Sequence, residues 1–495
     1  MIPFLHRRPG WASANLEGVH IVSEKPIQVG SDRQLFLDEI WFDTQNNVRL
    51  KMHPPVVREI ALSADQPWES GGVHYSSVLK NGDRYRMWYR ADGIDPNKDM
   101  ESYSCYAESS DGVHWEKPNL GIVEYQGSTQ NNIFYPTEGF PAINPSVILD
   151  KGAPPSERYK MIVQGKGNIL GYTSPDGIRW EQLPNNPIQT ERPFDSHNVL
   201  LRDDERQRYV IYMRGVSESV PGTLIWNDER QGYDHSPPGT FNGGHRAIRR
   251  SESKDFVNWT RPEMVFDGDA DDPPGIHFYT NSAAKYHRAA QAYLMFPMIL
   301  YPGRINPEAP FPGLSDVQMA TSRDGIAWGR QFRESFLRPG LDPRNWVDRN
   351  PIMGPGILET GPDELSMYYS ELLRETEDQP RFRRCSLRTD GFVSVEGPYK
   401  GWGEFVTPPL TFAGDRLEMN YSTAGGGSIF VELQEADGTP IKGLSLDDCN
   451  EMFGDKIEGI VSWSGDAGLK AHTGKPVRLR IKLRDASLYA FRFVG

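Results

Sequence analysis

The segment Ser109-Ser110-Asp111-Gly112-Val113-His114-Trp115 decides the fold, because it recurs along the chain. It returns as Ser174-Pro175-Asp176-Gly177-Ile178-Arg179-Trp180 and as Ser322-Arg323-Asp324-Gly325-Ile326-Ala327-Trp328. A degenerate copy is Ser253-Lys254-Asp255-Phe256-Val257-Asn258-Trp259, and Thr389-Asp390-Gly391-Phe392 is a fifth without tryptophan. The aspartates stand 65 to 79 residues apart, room for about four strands and their loops. Asp-Gly between two strands is hairpin-turn chemistry, with the glycine at positive φ. Ahead of the turns lie matching strands, Arg84–Arg90 (RYRMWYR), Arg158–Gln164 (RYKMIVQ) and Arg208–Arg214 (RYVIYMR). Five successive four-stranded sheets predict a five-bladed β-propeller, an architecture that covers both faces of every sheet and leaves only short edges.

Outside the repeat, Arg33–Phe42 (RQLFLDEIWF) reads as a strand able to close the ring against the last sheet, and residues 1–32 as an N-terminal arm. The propeller is expected over 33–400. From 401 to 495 the pattern changes to alternating segments such as Arg416–Tyr421, Ser428–Gln434, Val477–Leu483 and Ser487–Phe493, which predict an antiparallel β-sandwich with Gly425-Gly426-Gly427 at a turn. The fold class is therefore all-β.

Composition narrows the function. Among 495 residues the 48 glycines and 39 prolines fit many short strands and exclude a helical bundle. A net charge of −13 without a long basic run argues against nucleic acid as partner. No apolar stretch approaches the ~20 residues of a membrane span. The first residues carry basic side chains but no apolar run of secretory length, so a cytoplasmic site is the default expectation, with secretion left open. Cys105, Cys385 and Cys449 form no CxxC and read as buried free thiols. The histidines have no paired metal-ligand spacing and no Gly-x-Ser-x-Gly elbow occurs, so neither metal nor cofactor is expected. The Asp267–Asp272 run lacks the glycine and glutamate of an EF-hand and reads as an acidic loop.

The Ser-x-Asp-Gly-x-x-Trp turns, the RYRMWYR-type strands and the terminal β-unit together resemble the five-bladed propeller glycosidases, the group of invertase-, levansucrase- and arabinanase-like enzymes. That resemblance implies the fold, an axial pocket and a glycoside-like substrate. The group's Asn-Asp-Pro-Asn-Gly, Arg-Asp-Pro and Glu-Cys motifs are absent here, so no catalytic residue carries over.

The site is read instead from propeller geometry. Innermost strands start, and second strands end, at the mouth of the central funnel, so polar residues at those ends converge. First strands offer His74, Asn144, Asp195, Asn198, Tyr279, Asn281, Arg349 and Asn350; second strands offer Arg90, Lys166, Arg214 and Glu371. Glycoside cleavage needs two carboxyl groups, a proton donor and a base or nucleophile. Asp195 is expected as the ionised member and Glu371 as the donor, facing each other with Arg214 and Arg349 nearby; Asp38, inside an apolar stretch, is the third candidate. Each acid has an ordinary alternative, capping a turn or pairing with arginine. Arg90, Arg214, Arg349 and Lys166 make the funnel basic, suited to a carboxylate or sulfate on a sugar or to an attacking phosphate, or simply to neutralising the acids. Trp68, Trp88, Trp226, Tyr279 and Trp346 are candidate sugar platforms. The expected activity is hydrolysis of a furanoside or an anionic sugar, the alternatives being a non-catalytic carbohydrate-binding propeller and a glycoside phosphorylase.

Overall fold

The computed structural model describes residues 25–93, 101–135, 143–165, 167–217, 224–227, 232–235, 245–273, 275–308, 313–373, 380–464 and 468–495. Strands and turns build it, with no α-helix among the described residues. Gly72–Asn81, Arg84–Gly93, Glu101–Ser109 and Ile133–Tyr135 pair in chain order as the first blade, and Ile143–Leu149, Tyr159–Gly165, Asn168–Ser174 and Glu181–Gln182 as the second. Val199–Asp203, Arg208–Val216, Arg246–Ser253 and Glu263–Phe266 form the third, where a separate hairpin of Leu224–Asn227 with Gly232–His235 intervenes between second and third strands. The fourth blade is split in two: Pro297, which has no N–H to give a ladder, separates Tyr293–Met295 from Met298–Tyr301, and each half pairs in its own three-stranded sheet.

The blades stand in a ring. Inner strand Gly72–Asn81 lies against Ile143–Leu149, which meets Val199–Asp203, which meets Ala284–Lys285; Ile352–Met353 touches both the fourth blade and Gly72–Asn81. Leu79, Ile148, Leu201, Ala284 and Ile357, one from each blade, border one central cavity of about 430 Å³.

The repeated turn supplies the joints. In each complete copy the serine Oγ donates to the aspartate, whose Oδ1 also accepts two backbone N–H groups: at Asp176 these are Ser174 (3.0 Å), Ile178 (2.8 Å) and Arg179 (2.8 Å). Asp111, Asp255 and Asp324 repeat the pattern. Gly112, Gly177 and Gly325 take φ of +75°, +76° and +69°. Each of these glycine carbonyls accepts a hydrogen bond from the preceding blade: Gly177 from Trp88 Nε1 (2.7 Å), Gly325 from Tyr212 (2.5 Å), and Gly112 from Tyr368 of the fifth blade. The third copy keeps the turn with Phe256 at φ +67°. The strand position that carries Trp88 or Tyr212 elsewhere is Ile162 in the blade before it, which has no donor; Phe256 and Ile162 share an apolar cluster instead.

Ring closure differs from the sequence expectation. Gln34–Leu35 pairs with Val477–Val494 of the terminal sheet, and Glu39–Trp41 is a 3₁₀ turn. The fifth blade (Ile352–Met353 with Leu358–Gly361, Glu364–Glu371, Arg381–Arg388) is completed by Val56–Ser63, with Arg381 opposite Ser63. Val393–Gly397 leaves the propeller and joins Arg49–Met52 and the terminal sheet. Accordingly Asp390 makes no blade turn. It is buried and accepts from Arg33 (3.0 Å) and Tyr286 (2.7 Å), tying the start of the described chain to the fourth blade.

The strands of the terminal unit belong to one ten-stranded hydrogen-bonded network around one core. Arg416–Glu435 and Val477–Val494 each run through what the sequence divides into two strands. The pairing between them slips between Thr423 and Ser428, and a Cβ at Gly427 would lie 2.3 Å from the Asp485 carbonyl, so the chains bend there without turning back. Buried Leu417, Met419, Val431, Leu433, Leu479, Ile481 and Phe491 lie in the one core, so the bent sheet closes on itself. The three cysteines are buried and free.

Candidate active site

Register places the funnel mouth. Gly72 stands opposite Asp92 and His74 opposite Arg90, Ile143 opposite Gln164, and Val216 opposite Arg246, whereas Tyr85 opposite Ser109 puts the Asp turns at the other end. At the mouth, pairing slips between His74 and Ser77 and between Ile143 and Ser146. Tyr75 and Asn144 within these bulges have φ of +55° and +62°, and Arg349, just before the inner strand of the fifth blade, has +61°. A bulky side chain in this region costs about 1 kcal/mol or more, and such strain collects at functional sites. A bulge re-aims the side chain it carries.

These residues converge on one cluster. The Tyr75 ring lies 5.0 Å from His74 and 5.4 Å from His197. The Arg214 guanidinium sits 4.7 Å, and that of Arg246 5.0 Å, from the centre of the Tyr279 ring. Arg214 also donates to the Tyr279 carbonyl (2.9 Å), which accepts Ser196 Oγ (2.8 Å) as well. Arg349 Nε donates to Asp348 (3.0 Å). Arg90 grips both oxygens of Asp92 (2.8 and 3.1 Å), Ser102 adds a third bond (2.6 Å), and His74 Nε2 lies 3.3 Å away.

Electrostatics divide the groups. Burial drives His74 down to about 3 and His197 down to about 4, so both are neutral at physiological pH. Burial raises Asp92 less than His74 and Arg90 lower it, which keeps it an anion. Burial lifts the Tyr75 phenol, with Tyr279 adding to the effect, so Tyr75 is a neutral hydroxyl. Asp348 is held above the usual carboxylate range because burial outweighs Arg349. Arg214 is pushed down by burial and then by Arg246. Asp195 is exposed, lies within electrostatic reach of Tyr75 and Arg214, and accepts no hydrogen bond among the described residues.

The expected site residues therefore separate. His74, Arg90, Asn144, Asp195, Arg214, Tyr279 and Arg349 gather at the mouth. Asn144 links Gln164 (3.4 Å) to the Ser196 carbonyl (3.1 Å). Three asparagines are framework: Asn198 holds the carbonyls of Phe194 and Ser196, Asn281 those of His197 and Tyr212, and fully buried Asn350 accepts Leu373 N–H. Lys166 lies outside the described residues.

Glu371 has different neighbours from those expected. One oxygen accepts Arg381 (2.6 Å) and Arg383 (2.8 Å) and the other Asn345 (3.3 Å), with the side chain 5% exposed. Both oxygens are thus held by neighbouring side chains, an anchored position at the end of the strand. Asp38 caps the turn at Ile40 and pairs with Arg323 through both oxygens (2.9 Å each); since Arg323 belongs to an Asp turn, this pair lies at the end opposite the mouth. Trp68 and Trp88 are buried, Trp68 bonded to Asn132 and Trp88 to Gly177, so of the proposed platforms Tyr279 stands in the cluster. In the acidic loop, Asp269 and Asp272 are engaged by Arg330 and Arg333.

Asp348 and Arg246 are the members the sequence reading passes over. Arg246 opens the third strand of its blade, an end that the first- and second-strand rule omits, and Asp348 precedes Arg349 by one residue.

No family profile matches the chain. Two curated Mycobacterium tuberculosis relatives, "Uncharacterized protein MT1551" and "Uncharacterized protein Rv1502", are each 29% identical over 166 residues, 31% of this chain and 49% of the relative. The chain thus spans about half the length of the curated relatives it matches. Among solved structures, one titled "Glycoside hydrolase" aligns at TM-score 0.46 and 13% identity over 68% of this chain and 92% of its own. A glycoside hydrolase family 43 arabinoxylan arabinofuranohydrolase from Bacillus subtilis aligns at TM-score 0.42 and 13% identity over 89% and 99%. The catalytic domain of a Coprinopsis cinerea GH62 α-L-arabinofuranosidase aligns at TM-score 0.43 and 12% identity over 68% and 98%. In its all-β propeller architecture the chain is similar to these glycoside hydrolases.

Proposed function

We propose that the protein is a glycosidase working at the funnel mouth, with Asp195 as the ionised base or nucleophile and Asp348 as the proton donor. One observation carries the reading: an exposed carboxylate with no hydrogen-bonding partner among the described residues stands in the same cluster as a half-buried carboxyl that burial holds toward its protonated form. A carboxylate pair with differing environments is what glycosidic cleavage requires: one member protonates the departing oxygen while the other attacks the anomeric carbon or activates water. Glu371, bonded to Arg381 and Arg383, is assigned a positioning role at the end of its strand. The Tyr75 hydroxyl, kept neutral by burial, is a donor for a sugar oxygen.

The test is turnover of aryl furanoside and pyranoside panels, uronic sugars included, by wild type, Asp195→Asn and Asp348→Asn. Release from at least one substrate, lost in both variants, supports the assignment. Sugar binding without turnover, unchanged in both, means a non-catalytic carbohydrate-binding propeller.

A further inference from the structure

Three guanidiniums, those of Arg214, Arg246 and Arg349, crowd the mouth around Tyr279, and among the described residues only Arg349 has a carboxylate in hydrogen-bond contact. Arg214 is 5% exposed, spends one Nη on the Tyr279 carbonyl, and leaves its buried Nε without a partner. Arg246 directs one Nη at His277 Nδ1 (3.0 Å) and pairs with no acid among the described residues. Other arginines near the mouth and along the blades are matched by acids, Arg90 by Asp92, Arg323 by Asp38, Arg381 and Arg383 by Glu371, while Arg86 and Arg249 are held by backbone carbonyls. A buried guanidinium beside a like charge, with no carboxylate hydrogen-bonded to it among the described residues, is an expensive arrangement that a bound anion relieves.

We propose that Arg214, Arg246 and Arg349 form a subsite for an oxyanion, a carboxylate or phosphate group that accepts their free N–H donors while a sugar ring lies toward Tyr75 and Asp195. Guanidinium forks match the geometry of both oxyanions. The anion has two sources: an acidic group on the sugar itself, or inorganic phosphate present as co-substrate. This inference rests on the funnel-mouth reading above for the sugar's position, but the binding of the anion does not depend on any turnover.

The experiment is calorimetric titration of the full chain, at constant ionic strength, with glucuronate, glucose and inorganic phosphate. Glucuronate or phosphate is expected to bind measurably more tightly than glucose. Arg246→Gln, at a half-buried position, is expected to weaken that binding about tenfold or more, the share of one charge-assisted hydrogen bond; Arg246→Lys restores the charge but not the fork, and recovers part. Arg214→Gln gives the same loss where the variant folds. Glucuronate binding with no response to phosphate assigns the subsite to the sugar's own acid. Phosphate binding with phosphate-dependent release of sugar phosphate assigns it to a co-substrate. Equal affinity for glucose and glucuronate with no phosphate binding overturns the proposal, as does oxyanion binding that Arg246→Gln leaves unchanged. Because binding is read directly, an inactive Asp195→Asn enzyme that still binds glucuronate separates this proposal from the catalytic one.

Discussion

Asp195→Asn and Glu371→Gln are expected to have opposite consequences for activity and stability. Asp195 is exposed and accepts no hydrogen bond among the described residues, so its amide loses little beyond distant attraction to Arg214. A stability change within about 0.5 kcal/mol follows, a melting shift below about 2 °C for a chain of this size. Activity is expected to fall about 10²–10⁴-fold, the usual contribution of a positioned acid or base. Glu371 is the reverse case. Its amide leaves two arginines, Arg381 and Arg383, around an uncharged acceptor in a site where the side chain is 5% exposed. Breaking a buried ion pair from one side costs about 3–5 kcal/mol. Thermal unfolding measured beside initial rates on the best aryl glycoside separates the two. If Asp195→Asn keeps wild-type turnover, or unfolds as early as Glu371→Gln, the carboxylate assignment is wrong.

Tyr212→Phe is expected to destabilise the protein by about 1–2 kcal/mol, because the Gly325 carbonyl loses a 2.5 Å bond that joins the third and fourth blades; denaturant unfolding reads this. Asp348 must be protonated to act and its folded-state value is raised, so the wild-type rate is expected to fall as pH climbs through that value, an alkaline limb read in kcat/KM on the best substrate. The same raised value makes ionisation of Asp348 destabilising: its contribution to stability is complete below the unfolded carboxylate range and is lost as pH rises through the folded value, so Asp348→Asn flattens that part of the unfolding profile. Asp38→Ala, removing a partly exposed pair with Arg323 at the far end of the propeller, is expected to leave kinetics untouched and to cost about 1 kcal/mol or less by thermal melt.

The blade repeat was legible because its chemistry is local. Serine, aspartate and glycine within four residues complete the turn's hydrogen bonds, so the motif identifies it wherever it occurs. Even the exception is chemical: Phe256 replaces glycine in the copy that faces Ile162, where the preceding blade offers no donor. Ring closure was not legible: the sequence offers Arg33–Phe42 for the place against the last sheet, and Val56–Ser63 takes it. Which of them meets Arg381–Arg388 depends on partners more than 300 residues apart. The strand division of the terminal unit was not legible for a related reason. Glycines 425–427 read as a turn, and only the long partner strand Val477–Val494, bending at the same level, shows the bend.

At the site, strand ends located the mouth, yet they could not say which acids are already satisfied. Glu371 and Asp195 look alike in sequence, each charged at the edge of an apolar run. What separates them is the strand opposite Glu371, whose Arg381 and Arg383 reach back to it, while Asp195 meets solvent. That hairpin was itself readable, and pairing its charges across the strands would have identified Glu371 as an anchored acid. Arg246 and Asp348 required more. Arg246 enters because the third strand of its blade begins beside the end of the second, where Val216 lies opposite it, and Asp348 because the left-handed backbone at Arg349 carries the neighbouring carboxyl into the cluster. Both depend on a turn of the backbone more than on residue type. The charge pattern they create, three arginines gathered around Tyr279, is a property of the assembled ring and of no single blade.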